Sequence, residues 1–134
     1  MRRLFLLLAA SLWPPTAWAG ETRCWFESGV LVTPAEVMGI AGDYVLDTGA
    51  AHTLLADTPA QGAGYAQTAL VGEVRLAGLN LQGRPVAVTK LDARLRALPT
   101  PVAGVIGADV LAGRVVDVRF APCRVRIYEP GRAP

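Results

Sequence analysis

The segment Tyr44–Leu55, YVLDTGAAHTLL, sets one carboxylate between two apolar runs. Val45 and Leu46 lead into Asp47. Thr48, Gly49 and Ala50 follow, and Leu54 and Leu55 resume the apolar pattern. An acid with only a solvation role belongs on a polar face, whereas the neighbours of Asp47 predict burial. Gly49 permits a tight turn with its backbone open to a neighbour. Amides of that turn can donate to the Asp47 carboxylate, and the Thr48 hydroxyl can lock it. Such a placement suits a carboxylate that is oriented and partly desolvated, the requirement for a group that gives or takes a proton.

Other chemistries find little support. His52 is the only histidine, and it cannot recruit enough ligands for zinc, so no metal is expected. No Ser-His-Asp or Cys-His set is credible if Cys24 and Cys123 are paired. No cofactor is called for. Arginines are scattered and aromatics few, which argues against a nucleic-acid surface. Trp25 and Phe26 read as core or dimer contact, not as a ligand site.

The elements that must position Asp47 read as strands. Glycine and proline punctuate the chain every eight to twelve residues, with Val, Leu and Ile between them, a pattern of all-β sandwiches and barrels. VLVTPAEVMGIAGDYVLD predicts a hairpin turning at Gly39-Ile40-Ala41-Gly42, with its second strand ending at Asp47. GEVRLAGLNLQGRPVAVT predicts a hairpin turning near Gly78 to Asn80, and Pro85 marks an edge or bulge. RVVDVRFAPCRVRIY predicts a third, turning at Pro122. Leu91, Leu95 and Leu98 predict a helix stopped by Pro99, and Ala108–Gly113 one or two helical turns. Residues 56–68 read as a mobile loop or hairpin tip.

The first nineteen residues read as a secretory signal peptide. Arg2 and Arg3 form its basic start, Leu4–Leu12 its apolar stretch, and Ala17-Trp18-Ala19 its cleavage site. The competing reading is an uncleaved anchor. Residues 20–134 then form one domain, with no later run long enough to span a membrane. The chain carries 13 basic and 11 acidic residues. Arg2 and Arg3 leave with the leader, so the remainder is balanced. Two cysteines in an exported chain favour a disulfide between Cys24 and Cys123, against the alternative of two free buried thiols.

VLDTGAAHTLL resembles the active-site motif of retropepsin-like (retroviral-type) aspartic proteases, single-domain relatives of pepsin. PTPVAGVIGADVL resembles that family's hydrophobic-hydrophobic-Gly segment and the short helix after it. Val105-Ile106-Gly107 would be the strand crossing behind the Asp47 loop, and Gly107 lies 60 residues after Asp47. The final hairpin resembles that of exported bacterial members, so the likeness runs from about Leu31 to Tyr128.

The resemblance implies a single-lobe, closed β-barrel with one short helix after the hydrophobic-hydrophobic-Gly segment. It also implies an exported peptidase, in the periplasm or outside the cell, acting on polypeptide. Only one Asp-Thr-Gly is present. Asp109 reads as a helix N-cap and Asp117 as an outward strand residue, so the second carboxylate is implied to be Asp47 of a second copy. A flap would have to come from about Ala56 to Gly72, with Gly62, Gly64 and Tyr65 at its tip. Two readings compete: a non-catalytic binding or assembly module on the same fold in the cell envelope, and an unrelated disulfide-linked β domain with a chance Asp-Thr-Gly turn. If the leader is cleaved as read, the intact mass of the exported protein starts at Gly20; a species retaining Met1 revives the anchor.

Overall fold

The computed structural model describes residues 20–134; the leader reading falls on residues outside it. Three hairpins with two-residue turns organise the barrel. Strand β2 (Trp25–Glu27) turns through Ser28-Gly29 into β3 (Val30–Val37), and β3 turns through Met38-Gly39 into β4 (Ile40–Leu46). Later, β6 (Ala69–Leu76) turns through Ala77-Gly78 into β7 (Leu79–Thr89). In each turn both central residues have positive φ, 56° and 78° at Met38-Gly39, the geometry whose twist matches the flanking strands. The turns therefore sit one or two residues earlier than expected from Gly39–Gly42 and Gly78–Asn80. Glycine occupies the second central position, and the residue before it belongs to the turn.

β3, β4, β8 (Gly104–Ile106), β5 (Leu54–Ala56), β7 and β6 form a closed ring, because β6 returns to pair with β3 through Glu36↔Arg75 and Val37↔Val74. This is the all-β, single-lobe barrel. Val37, Tyr44, Leu55, Val74, Ile106, Val125 and Ile127 are fully buried in its main core. Strand alternation sends Val32, Val45 and Val105 to the opposite face. There they form a second cluster with Leu98, against which Leu95 packs. Helix α2 (Ala93–Arg96) is shorter than the leucine spacing predicted: Asp92 caps it through Leu95 N–H, 2.9 Å, and Leu91 and Leu98 fall outside it.

One expectation is corrected. Residues 57–62 are a helix, α1, and the segment that follows forms a turn, so no strand pair or hairpin tip exists between Ala56 and Thr68. Ala60, on the inner face of α1, is fully buried, and the Tyr65 hydroxyl donates to the Met38 carbonyl at 2.9 Å. Packing holds a segment whose Gly and Pro content reads as loop.

A second sheet packs on the main core through Val125 and Ile127: β1 (Gly20–Arg23), β10 (Cys123–Tyr128) and β9 (Val115–Phe120), with β10 in the middle. Cys24 and Cys123 form a disulfide across a sequence separation of 99 residues, with Cα atoms 5.0 Å apart. Among the described residues, no helix is long and apolar enough to cross a membrane. Closing so long a loop restricts the unfolded chain, so the double substitution Cys24→Ser, Cys123→Ser should cost about 3–5 kcal/mol. Urea unfolding without reductant measures this; a loss under about 1 kcal/mol would show that the bridge adds little.

Candidate active site

Strands β4 and β8 run parallel, with Tyr44↔Gly104, Val45↔Val105 and Leu46↔Ile106 in register. Both then enter loops at the same end of the barrel. The Asp47 N–H donates to the Ile106 carbonyl at 3.0 Å, which extends the ladder one step into the first loop. Gly49 N–H donates to Asp47 Oδ1 at 2.8 Å, and Ala50 N–H to the Asp47 carbonyl at 3.2 Å. The carboxylate is thus oriented by its own turn. Its second oxygen accepts no hydrogen bond among the described residues, and Asp47 is exposed in the single protomer.

What stiffens this loop is Thr53, which is fully buried. Its hydroxyl donates to Asp109 Oδ1 at 2.8 Å and accepts from Gly107 N–H at 3.1 Å. Its own N–H donates to Asp109 Oδ2 at 3.0 Å. Ala108 N–H reaches back to the Ala50 carbonyl at 2.7 Å. Gly107 must be glycine for steric reasons, since a Cβ there would stand 2.7 Å from the His52 carbonyl and 2.8 Å from that of Ala50. Two loops distant in sequence are therefore interlocked through backbone contact. Asp109 is not the N-cap of α3 (Ala108–Leu111); Gly107 is. The acid sits in the first helical turn, where its carboxylate also accepts from Val110 N–H at 2.9 Å, and it serves the neighbouring loop.

Thr48 is exposed and makes no hydrogen bond among the described residues. The lock expected of it is supplied by Thr53. Ala50 is half-buried against the second apolar cluster. Val105, Ile106 and Gly107 are all buried, behind the loop. Asp117 lies on β9 opposite Arg126, and His52 is exposed. Gly62 ends α1, while Gly64 and Tyr65 lie in the turn beyond it.

Asp47 borders a cavity of about 410 Å³ lined by Phe26, Gly29, Leu31 and Arg94 of α2, whose guanidinium donates to the Ser28 carbonyl at 3.3 Å. Among the described residues, no other acid lines the cavity. A larger recess of about 660 Å³ lies beside α1 and contains none of the Asp47 loop, so the smaller one is the candidate. Glu27, next to the lining residue Phe26, is clamped in turn: its carboxylate accepts from the Thr100 N–H at 2.5 Å and hydroxyl at 2.6 Å and from Trp25 Nε1 at 3.1 Å. The hydrogen bonds from Thr100 hold the Glu27 carboxyl below its ordinary pKa. Stability from this clamp is present above the ordinary carboxylate pKa and is lost as pH falls through the lowered one.

One carboxylate cannot act as acid and base together. The site offers one oriented, accessible acid on a loop tied to β8 and α3. Solved structures resemble this chain in fold. A retropepsin-like aspartic protease from Rickettsia conorii superposes with a TM-score of 0.56, covering 81% of this chain and 90% of its own at 20% identity. This is the retropepsin-like fold. The retroviral protease-like domain of Ddi1 from Leishmania major also adopts it, with a TM-score of 0.50 over 78% of this chain and 98% of its own, at 16% identity. No protein-family model matches the sequence, and no curated protein does so with significance. The retropepsin-like fold places the Asp47 loop and the Val105-Ile106-Gly107 strand side by side.

Thr53→Val keeps the shape but leaves the buried Gly107 N–H without its acceptor and takes one of three hydrogen bonds from the partly buried Asp109 carboxylate. We expect a stability loss of about 2–4 kcal/mol, while Thr53→Ser, which keeps the hydroxyl, loses about 1 kcal/mol. Chemical denaturation of the two variants checks the difference; equal losses would show that the methyl, not the hydroxyl, holds the loop.

Proposed function

We propose that the chain is an exported aspartic endopeptidase that hydrolyses polypeptide as a homodimer, with one Asp47 from each protomer. The observation that carries this reading is the lone, accessible Asp47 carboxylate, oriented by Gly49 N–H and backed by the Ile106 carbonyl contact within a retropepsin-like fold. The related structure from Rickettsia conorii is described as an aspartic protease, which supports the assignment. The disulfide fits an oxidising compartment, as does the signal-peptide reading of residues 1–19, and so the periplasm or the medium.

The chemistry follows from two carboxylates brought close together. Like charges in a site of low dielectric cannot both ionise easily, so the pair retains one proton, as aspartic proteases in general illustrate. The ionised carboxylate takes a proton from a water held between them as that water attacks the peptide carbonyl. The protonated one donates to the developing oxyanion or the departing nitrogen, and the roles exchange before the next turnover. The titration belongs to the pair. The rate falls on the alkaline side once the shared proton is lost. Gly49 N–H aims one Asp47 oxygen, and the Thr53–Asp109–Gly107 contacts keep the turn from relaxing away.

Purified protein comprising residues 20–134, incubated with an unfolded polypeptide between pH 3 and 7, should release peptides in a pepstatin-sensitive manner. Asp47→Asn should lower that rate at least about a thousandfold while circular dichroism and thermal stability stay near wild type. Hydrolysis undiminished in Asp47→Asn defeats the mechanism. No hydrolysis by the wild type favours the binding module.

A further inference from the structure

The apolar core of this barrel runs out onto the surface beside Asp47. Phe26, Leu31 and Leu46 are direct cross-strand partners on β2, β3 and β4, so their side chains stand in one row on one face. Leu46, the residue before Asp47, is buried; Leu31 is partly buried; Phe26 is 51% exposed. Phe120, at the end of β9, stacks on Phe26 with ring centroids 5.3 Å apart and an interplanar angle of 16°, and is itself 74% exposed. These are the two exposed aromatics among the large exposed apolar side chains. Phe26 and Leu31 line the cavity that holds Asp47, so the patch is continuous with the candidate site.

We infer that the stacked Phe26–Phe120 pair is the contact face for a second copy of this chain, the copy that supplies the second Asp47. The inference rests on the proposed catalytic reading, because the site holds one acid and is incomplete without a partner. A two-fold axis that brings two Asp47 side chains together must press the surfaces around them against each other. The surface on the Leu46 side of Asp47 is this aromatic row. It suits that contact. An isologous interface needs a self-complementary patch, and stacked rings offer flat apolar faces that lose little side-chain entropy on association. The pair is also rigidly mounted: Cys24, two residues before Phe26, is bridged to Cys123, which begins β10 and pairs with Phe120 across the β9–β10 hairpin. Val71 on β6, 71% exposed but outside the row, serves as the control.

The test is sedimentation velocity over a dilution series, with peptide hydrolysis followed across the same concentrations. Phe26→Ser combined with Phe120→Ser should raise the dimer dissociation constant at least about tenfold, and Val71→Ser should leave it unchanged. Hydrolysis by the double variant should fall at low protein concentration and recover as concentration rises. Phe120→Ser alone, at the more exposed ring, carries the test if the double variant does not fold with its disulfide intact. A wild type that is dimeric and active, with a double variant of unchanged dissociation constant, overturns this face and leaves the peptidase reading standing. A raised KM with unchanged dimerisation overturns it too, by making the rings a substrate contact. A wild type that is monomeric and inactive at every concentration removes both readings together.

Discussion

The buried hydroxyl of Thr53 is the point on which the site depends. It joins the loop that carries Asp47 to the junction of β8 and α3, using one donor and one acceptor contact, and Asp109 completes the join with its second oxygen. Away from water such contacts are stronger than at the surface, and each unmet partner costs more. The loop is therefore held in one arrangement. Gly107 permits the approach and Thr53 fixes it. Asp47 then inherits its direction from a scaffold that it does not itself touch by side chain, apart from the Gly49 amide.

Much of this was legible in the sequence, and the failures have physical causes. The strands announce themselves by alternation, as in Val116, Val118 and Phe120, and glycines mark their turns. The turns were misplaced because left-handed backbone at both central positions brings Met38 and Ala77 into turns that a glycine-centred reading begins later. The helix at 57–62 was missed because its stability comes from the burial of Ala60, and Tyr65 then anchors the following turn to Met38; neither is a local property. Asp109 was read as a helix cap because a helix start is visible nearby, whereas its partner Thr53 lies 56 residues away. A signal did exist: Thr53 is a polar residue leading directly into Leu54-Leu55, and a polar group at the edge of a core needs a partner.

Asp47 itself shows where sequence and single-chain structure differ. Its neighbours predict burial, and the structure leaves it exposed. The flanking residues Val45, Leu46, Leu54 and Leu55 do pack into the fold, so the apolar context was read correctly; the acid stands just beyond the end of β4. The segment between β5 and β6 contributes a helix packed against the barrel. The rim of the Asp47 cavity comes instead from the β2–β3 turn, clamped by Glu27 to Thr100, and from Arg94 on α2. At 20% and 16% identity, fold is what the resemblance to solved structures establishes. Function is argued from the side chains at the site.

The interlocked loops also fix an order of events. The Asp47 turn is made from residues in the first half of the chain, but the groups that hold it, Ile106, Gly107 and Asp109, come some sixty residues later, and the bridge to Cys24 waits for Cys123. Contacts of such long range form slowly, since the intervening chain must first be ordered. A chain threaded from its N-terminus through a membrane would thus carry its acid out long before anything could aim it. Whatever the acid does, it can do only once the whole barrel has closed, and a fragment ending before Gly107 would have the motif without the site.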